Sequence, residues 1–197
     1  MAVELPELTV PDVAAWEEWL RSHHTQDTGV RLVLAKKGTT QPTSLRYDDA
    51  LEVALCYGWI DGQVKGRDAT TYWQRFTPRR ARSMWSQRNV AIVERLTAAG
   101  RMQPAGLAEV ERAKADGRWE AAYAGAATIE MPPDLAEALS ADPQAQAAFE
   151  GLNGTNRYAV LHRVVTAVRP ETRARRIAKL VDMLSRGETL HPQRPDV

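Results

Sequence analysis

The chain has a single cysteine, Cys56, and only two phenylalanines in 197 residues. One thiol excludes an internal disulfide framework and fits a reducing compartment. Acidic and basic residues nearly cancel, leaving a formal net charge of +1. That excludes the cation-rich surface on which non-specific nucleic-acid binding relies, so nucleic acid is not an expected partner. No apolar run approaches the roughly 20 residues that span a bilayer. The N-terminal stretch carries Glu4 and Glu7 where a signal peptide needs basic residues, and it lacks a continuous apolar segment. These absences predict a cytoplasmic protein without a membrane span. The four histidines have no metal-ligand spacing: His23 and His24 point to different sides of a helix, and His162 and His191 stand alone. Phosphate-loop and dinucleotide fingerprints are missing, and Ser86 has no elbow glycines around it. No metal and no cofactor are expected.

What is present is punctuated clearly. Thr9-Val10-Pro11-Asp12 reads as a capping box, and Val13, Trp16, Trp19, Leu20 and His23 follow helical spacing with both tryptophans on one side. Residues 30–35 alternate as a strand after Gly29. Asp48, Asp49 and Glu52 favour the start of a helix from Tyr47 to Tyr57, which Gly58 ends. Two extended runs, 59–65 and 70–77, flank Gly66-Arg67-Asp68 and predict a hairpin. Ser83 or Ser86 can cap the next helix, and Pro104 starts another that closes at Gly117. Residues 121–131 read as a linker or irregular crossing. Short helices follow, with Asp142-Pro143 and Thr155 as starts and Arg169-Pro170 as an interruption. His191 to Val197 is expected to fray. The pattern predicts an α+β protein. A small antiparallel sheet packed by helices occupies residues 1–125, and an all-helical segment, 126–197, packs with it as one unit.

The stretch from Ala54 to Asn89 concentrates the chemistry. It holds Trp59, Trp73 and Trp85, three of the six tryptophans, and no acidic residue lies between Asp68 and Glu94. Arg75, Arg79 and Arg80 beside these aromatic rings suit an anion contact, and the helix start near Ser83, Ser86 and Asn89 offers free N–H donors. Ion pairing of these arginines with Asp48, Asp49, Asp61 or Glu94 explains them equally well. Asp61 follows Trp59-Ile60 in an apolar strand, where burial raises and a facing arginine lowers a carboxyl pKa. It is the candidate general acid or base, although a structural ion pair or turn cap is the plainer reading. Cys56 sits at the C-terminal end of a helix, where the dipole disfavours a thiolate, and reads as a small buried hydrophobe. Arg157, Arg163, Arg173, Arg175 and Arg176 read as a solvated basic face.

These residues resemble the YdeI/OmpD-associated family, often described as bacteriocin-protection proteins. The likeness is strongest through Ala54–Gly62 and Phe76–Arg80. It continues through Ser83, Trp85-Ser86, Asn89, Gly100-Arg101-Met102 and Pro104-Ala105-Gly106, and closes with Pro170–Arg173 and Arg176-Ile177. Two departures stand out. Tyr57 replaces a frequent phenylalanine. The helix before Pro170 carries His162 and Ala167-Val168-Arg169 where relatives show a tryptophan and an Ala-Lys pair, so no role of that lysine carries over. The resemblance implies a link to tolerance of antimicrobial peptides or envelope stress. It implies no established chemistry, cofactor or catalytic residue.

Three readings follow from the residues. The first is a binding protein for a small anionic or aromatic ligand, with Trp59, Trp73 and Trp85 as walls, Arg75, Arg79 and Arg80 as anion contacts and Asp61 as anchor. The second is an enzyme using the same cleft through Asp61. The third is an interaction module.

Overall fold

The computed structural model describes residues 5–193. The chain divides into two compact units: one holds residues up to 85 together with 89–121, the other 86–88 together with residues from 122 onward. The architecture is α+β, with the strands in the N-terminal half and, among the described residues, only helices as regular elements beyond residue 132.

In the first unit, α1 (Val13–His23) starts at Asp12, whose side chain accepts from the Ala15 N–H at 2.9 Å. Asp12 thus meets a free N–H of the first turn as the N-cap residue. Strand β2 (Val30–Ala35) pairs antiparallel with β4 (Thr71–Pro78), and β4 pairs with β3 (Trp59–Gly66). The hairpin closes on Asp68, whose carboxylate accepts from the backbone of Thr70 and Thr71 and from the Thr71 hydroxyl. These bonds hold its pKa well below the usual carboxylate range. With β1 (Glu7–Leu8) at one edge, the sheet order is β1-β2-β4-β3. The predicted antiparallel sheet therefore gains a fourth, parallel member, the two-residue β1 (Glu7–Leu8), which pairs through Glu7 with Arg31 and Leu8 with Leu32. Two residues carry too little periodicity to announce a strand.

Register places Val30 and Leu32 opposite Phe76 and Gln74, on the face against which α1 and α2 (Tyr47–Cys56) pack. Trp16 is fully buried there, 5.7 Å from the Phe76 ring, and its indole N–H donates to the Ala50 carbonyl at 3.1 Å. Trp59, also fully buried, donates to the His24 carbonyl at 2.9 Å. Trp19 stacks on Trp16 at 5.3 Å, as the shared helix face predicts. Helix α4 (Pro104–Ala115) lies flush against the end of α2, where a side chain at Gly106 would overlap the Cys56 carbonyl. Gln103 donates to that same carbonyl at 3.1 Å. Helix α3 (Gln87–Ala98) is tied to α2 by Glu52, which bonds Arg95 at 2.5 Å and Arg101 at 2.9 Å. Ser83 does not cap α3. Its hydroxyl accepts from the Arg80 N–H inside a turn, and Ser86 directly precedes the helix.

In the second unit, α5 (Pro133–Ser140), α6 (Pro143–Glu150), α7 (Gly154–Val165) and α8 (Pro170–Ser185) enclose a core that includes Leu135, Leu139, Phe149, Val160, Val164 and Leu180. Asp142 caps α6 as its Asp-Pro sequence predicts. Asn153 rather than Thr155 caps α7, accepting from the Asn156 N–H at 2.9 Å, because the helix begins two residues earlier, at Gly154. The solvated basic face is partly structural. Arg173 bonds Asp134 through two nitrogens and donates to the Val164 carbonyl, while Arg176 donates to the Arg163 carbonyl. The expected fraying does not extend to His191 and Gln193, both held by the fully buried Asn156. The remainder of that expectation, 194–197, lies outside the described residues.

Candidate functional site

The sequence-predicted site residues separate into three places, all within the first unit except Ser86. On β3, Asp61 is half-buried opposite Phe76 and accepts from the Tyr47 hydroxyl at 2.9 Å. Trp59 shares its strand face but is fully buried in the core. Arg75 alternates to the other side of β4, its chain against Gly62. Trp73 faces the same way. Its indole N–H donates to Glu7 at 2.6 Å, and the cations of Arg31 and Lys65 stand 5.3 and 5.8 Å from its ring centroid. Strand alternation therefore puts Trp73 and Arg75 on one side of the sheet and Trp59 and Asp61 on the other.

The third place is the loop that leaves β4. Its backbone is fixed where the Arg79 N–H donates to the Gly58 carbonyl at 3.0 Å and where Arg80–Ser83 forms a turn. Arg80 is exposed, whereas Arg79 is only 6% exposed. The Arg79 guanidinium lies 3.5 Å from the centroid of the Trp85 ring, and its Nη1 donates to the Met84 carbonyl at 3.3 Å. A guanidinium over an indole ring is a cation–π contact that strengthens as water is excluded. Trp85 is 1% exposed and meets Trp119 edge-on at 4.8 Å. Beside them, Arg118 donates to the Ser83 carbonyl at 2.7 Å and grips both Asp116 oxygens at 2.8 Å. That grip holds the Asp116 carboxyl below its usual range. Asn89 is buried in the first turn of α3, and Ser86 pairs with Tyr123 in an isolated parallel bridge of the second unit.

The structure thus brings Arg79, Ser83 and Trp85 together and adds Arg118 and Trp119. The last two lie outside the stretch on which sequence reasoning concentrated. Their signal was a lone Arg-Trp pair just past the Gly117 break, the last tryptophan of the chain. Two nitrogens in this cluster, Trp85 Nε1 and Arg118 Nη2, are buried without an acceptor. Buried donors nearly always find one, so these two N–H groups are the ones an oxygen acceptor would meet here. Among the described residues no group of three or more His, Cys, Asp or Glu side chains could hold a metal ion. No helix among them is long and apolar enough to cross a membrane.

Fold and site define an α+β protein with a cationic–aromatic loop site and an attached helical unit. The chain belongs to the family described as a domain of unknown function (DUF8412), which residues 8–109 match. Residues 128–187 match the family described as bacteriocin-protection, YdeI or OmpD-associated. The motifs of strongest resemblance, 54–62 and 76–80, fall within the first match, and the closing helical motifs fall within the second. No curated protein and no solved structure matches the chain.

Proposed function

We propose that the protein is a cytoplasmic binding protein for a small anionic ligand, held by Trp85 and Arg118 against the Arg79 guanidinium. Its physiological setting in this reading is tolerance of antimicrobial peptides or envelope stress, as the family description of residues 128–187 suggests. The observation that carries the binding reading is the pair of buried donors without acceptors, Trp85 Nε1 and Arg118 Nη2. An anionic oxygen meeting either nitrogen forms a charge-assisted hydrogen bond in a site already shielded from water, so little reorganisation is needed on binding. Trp119 and Trp85 supply the apolar wall that small-molecule sites require.

The test is calorimetric titration with inorganic phosphate, sulfate and phenyl phosphate, with tryptophan fluorescence as a second reporter. A hydrogen bond to a charged group contributes about 1.5–3 kcal/mol, so Trp85→Phe should weaken binding roughly 10- to 100-fold while circular dichroism stays unchanged. Arg118→Lys, which keeps the charge but loses the Nη2 donor, should weaken it similarly. Absence of binding by all three anions, or unchanged affinity in a folded Trp85→Phe variant, would sink the reading.

A further inference from the structure

The helical unit contains a cavity of about 560 Å³ between α7, α8 and the segment that follows α8. Its charges do not balance. The two carboxylates on its wall, Asp182 and Glu188, are both engaged by Arg186. Arg163, Arg176 and Lys179 also line it, and among the described residues none of the three forms an ion pair. Arg176 is held in place by the Arg163 carbonyl at 2.7 Å and the Thr166 hydroxyl, while Lys179 and Arg163 are exposed. The rest of the wall is apolar: Leu180 is buried, and Met183 and Leu190 are half-buried. His162 closes one end, its ring edge-on to Tyr123 at 4.6 Å and tilted against Tyr158 at 5.4 Å. Burial, and secondarily the Arg176 charge, push its pKa below the usual histidine value, so at neutral pH it presents a neutral imidazole.

We propose that this cavity is a second binding site, distinct from the loop site, for an organic acid with an apolar body. The acid group would meet Arg163, Arg176 and Lys179, and the body would lie on Leu180, Met183 and Leu190. Three unpaired cations over an apolar floor match an anionic amphiphile in both halves. A neutral hydrophobe leaves the cations unused, and a cationic one is repelled. The wall beyond α8 is fixed because Asn156 clasps His191, so the cavity is formed before the ligand arrives.

The experiment is calorimetry on the full chain with octanoate, octanol and octylamine as probes. Octanoate should bind, and the other two should bind at least about tenfold more weakly, as removal of a charged partner implies. Lys179→Glu and Arg163→Glu, both at exposed positions, should each weaken octanoate about tenfold or more with the thermal midpoint unchanged. Trp85→Phe should leave octanoate affinity intact, which separates this site from the loop site. Equal binding of octylamine, or full octanoate affinity in the folded Lys179→Glu variant, would overturn the proposal, as would no octanoate binding at millimolar concentration.

Discussion

Replacing Asn156 with alanine tests how the helical unit holds its last described residues. Asn156 is fully buried in the first turn of α7, and its side chain makes three hydrogen bonds. Its Oδ1 accepts from the His191 N–H at 2.9 Å, and its Nδ2 donates to the His191 carbonyl at 3.1 Å and to Gln193 Oε1 at 3.2 Å. The α7 cap survives the substitution, because Asn153 bonds the backbone of residue 156 rather than its side chain. At about 0.5–1.5 kcal/mol per bond, the loss of three spans roughly 1.5–4.5 kcal/mol. His191 is exposed, so water re-satisfies part of its backbone, and the expected cost settles at about 2–3 kcal/mol. That is a large share of the 5–15 kcal/mol typical of a domain. Urea unfolding followed by circular dichroism would show a lower midpoint with an unchanged slope. Octanoate affinity should fall too, since Leu190 and Glu188 form part of the cavity wall. A loss below about 0.5 kcal/mol, within the range of ordinary surface substitutions, would refute the clasp.

Two further outcomes follow from the first unit. Glu52 is held below the usual glutamate pKa, first by its hydrogen bond from Arg95 and then by Arg101, against an opposing desolvation effect. A depressed folded-state pKa adds stability above the unfolded value of about 4.3, and that stability is lost as pH falls through the folded pKa. Urea midpoints should therefore drop on acidification below pH about 4, and Glu52→Gln should flatten that part of the curve. Cys56 is 3% exposed and burial pushes its thiol up to about 11. It should resist Ellman's reagent at pH 8 in the native state and react fully in guanidinium, and rapid native labelling would contradict its placement.

Legibility in the sequence tracked how local the cause was. The α1 face, with Trp16 and Leu20 buried, follows from a period of 3.6 residues beside a capping aspartate. The hairpin follows from Gly66-Arg67-Asp68, whose aspartate bonds the chain only two and three residues onward. Features built from distant partners were hidden. Strand β1 exists because Glu7 pairs with Arg31 and meets Trp73, 66 residues away. Asn156 looks like a surface residue in a first turn, and only His191, 35 residues on, turns it into a clasp. The candidate site was half legible for the same reason. Arg79 and Trp85 are near in sequence, but Arg118 reaches Ser83 across 35 residues. Strand alternation, equally, sent Trp73 and Trp59 to opposite faces although both belong to one aromatic-rich stretch.

The tryptophans of this chain provide their own controls for the site. Three are fully buried, and two of those three, Trp16 and Trp59, satisfy their indole N–H with backbone carbonyls inside the core. Trp73, half-buried, satisfies its own with Glu7. Trp85 alone among the fully buried ones leaves its N–H without an acceptor, and it does so under a buried guanidinium. A phenylalanine at 85 would fill much of the same volume without a donor, avoiding a cost of about 1–3 kcal/mol for the unmet N–H. The contact with the Arg79 guanidinium favours an indole face at this position but leaves its N–H unmet. In the proposed reading a bound anion meets that donor, turning the unmet N–H groups of Trp85 and Arg118 from a cost to the folded chain into a gain on binding. The same logic predicts the direction of ligand-free stability. Trp85→Phe should lose much less than the roughly 3–5 kcal/mol of a truncated core aromatic, whereas Trp59→Phe, which orphans the His24 carbonyl, should lose clearly more than Trp85→Phe. Equal losses at the two positions, read from urea midpoints without added anion, would remove the distinction on which the site rests.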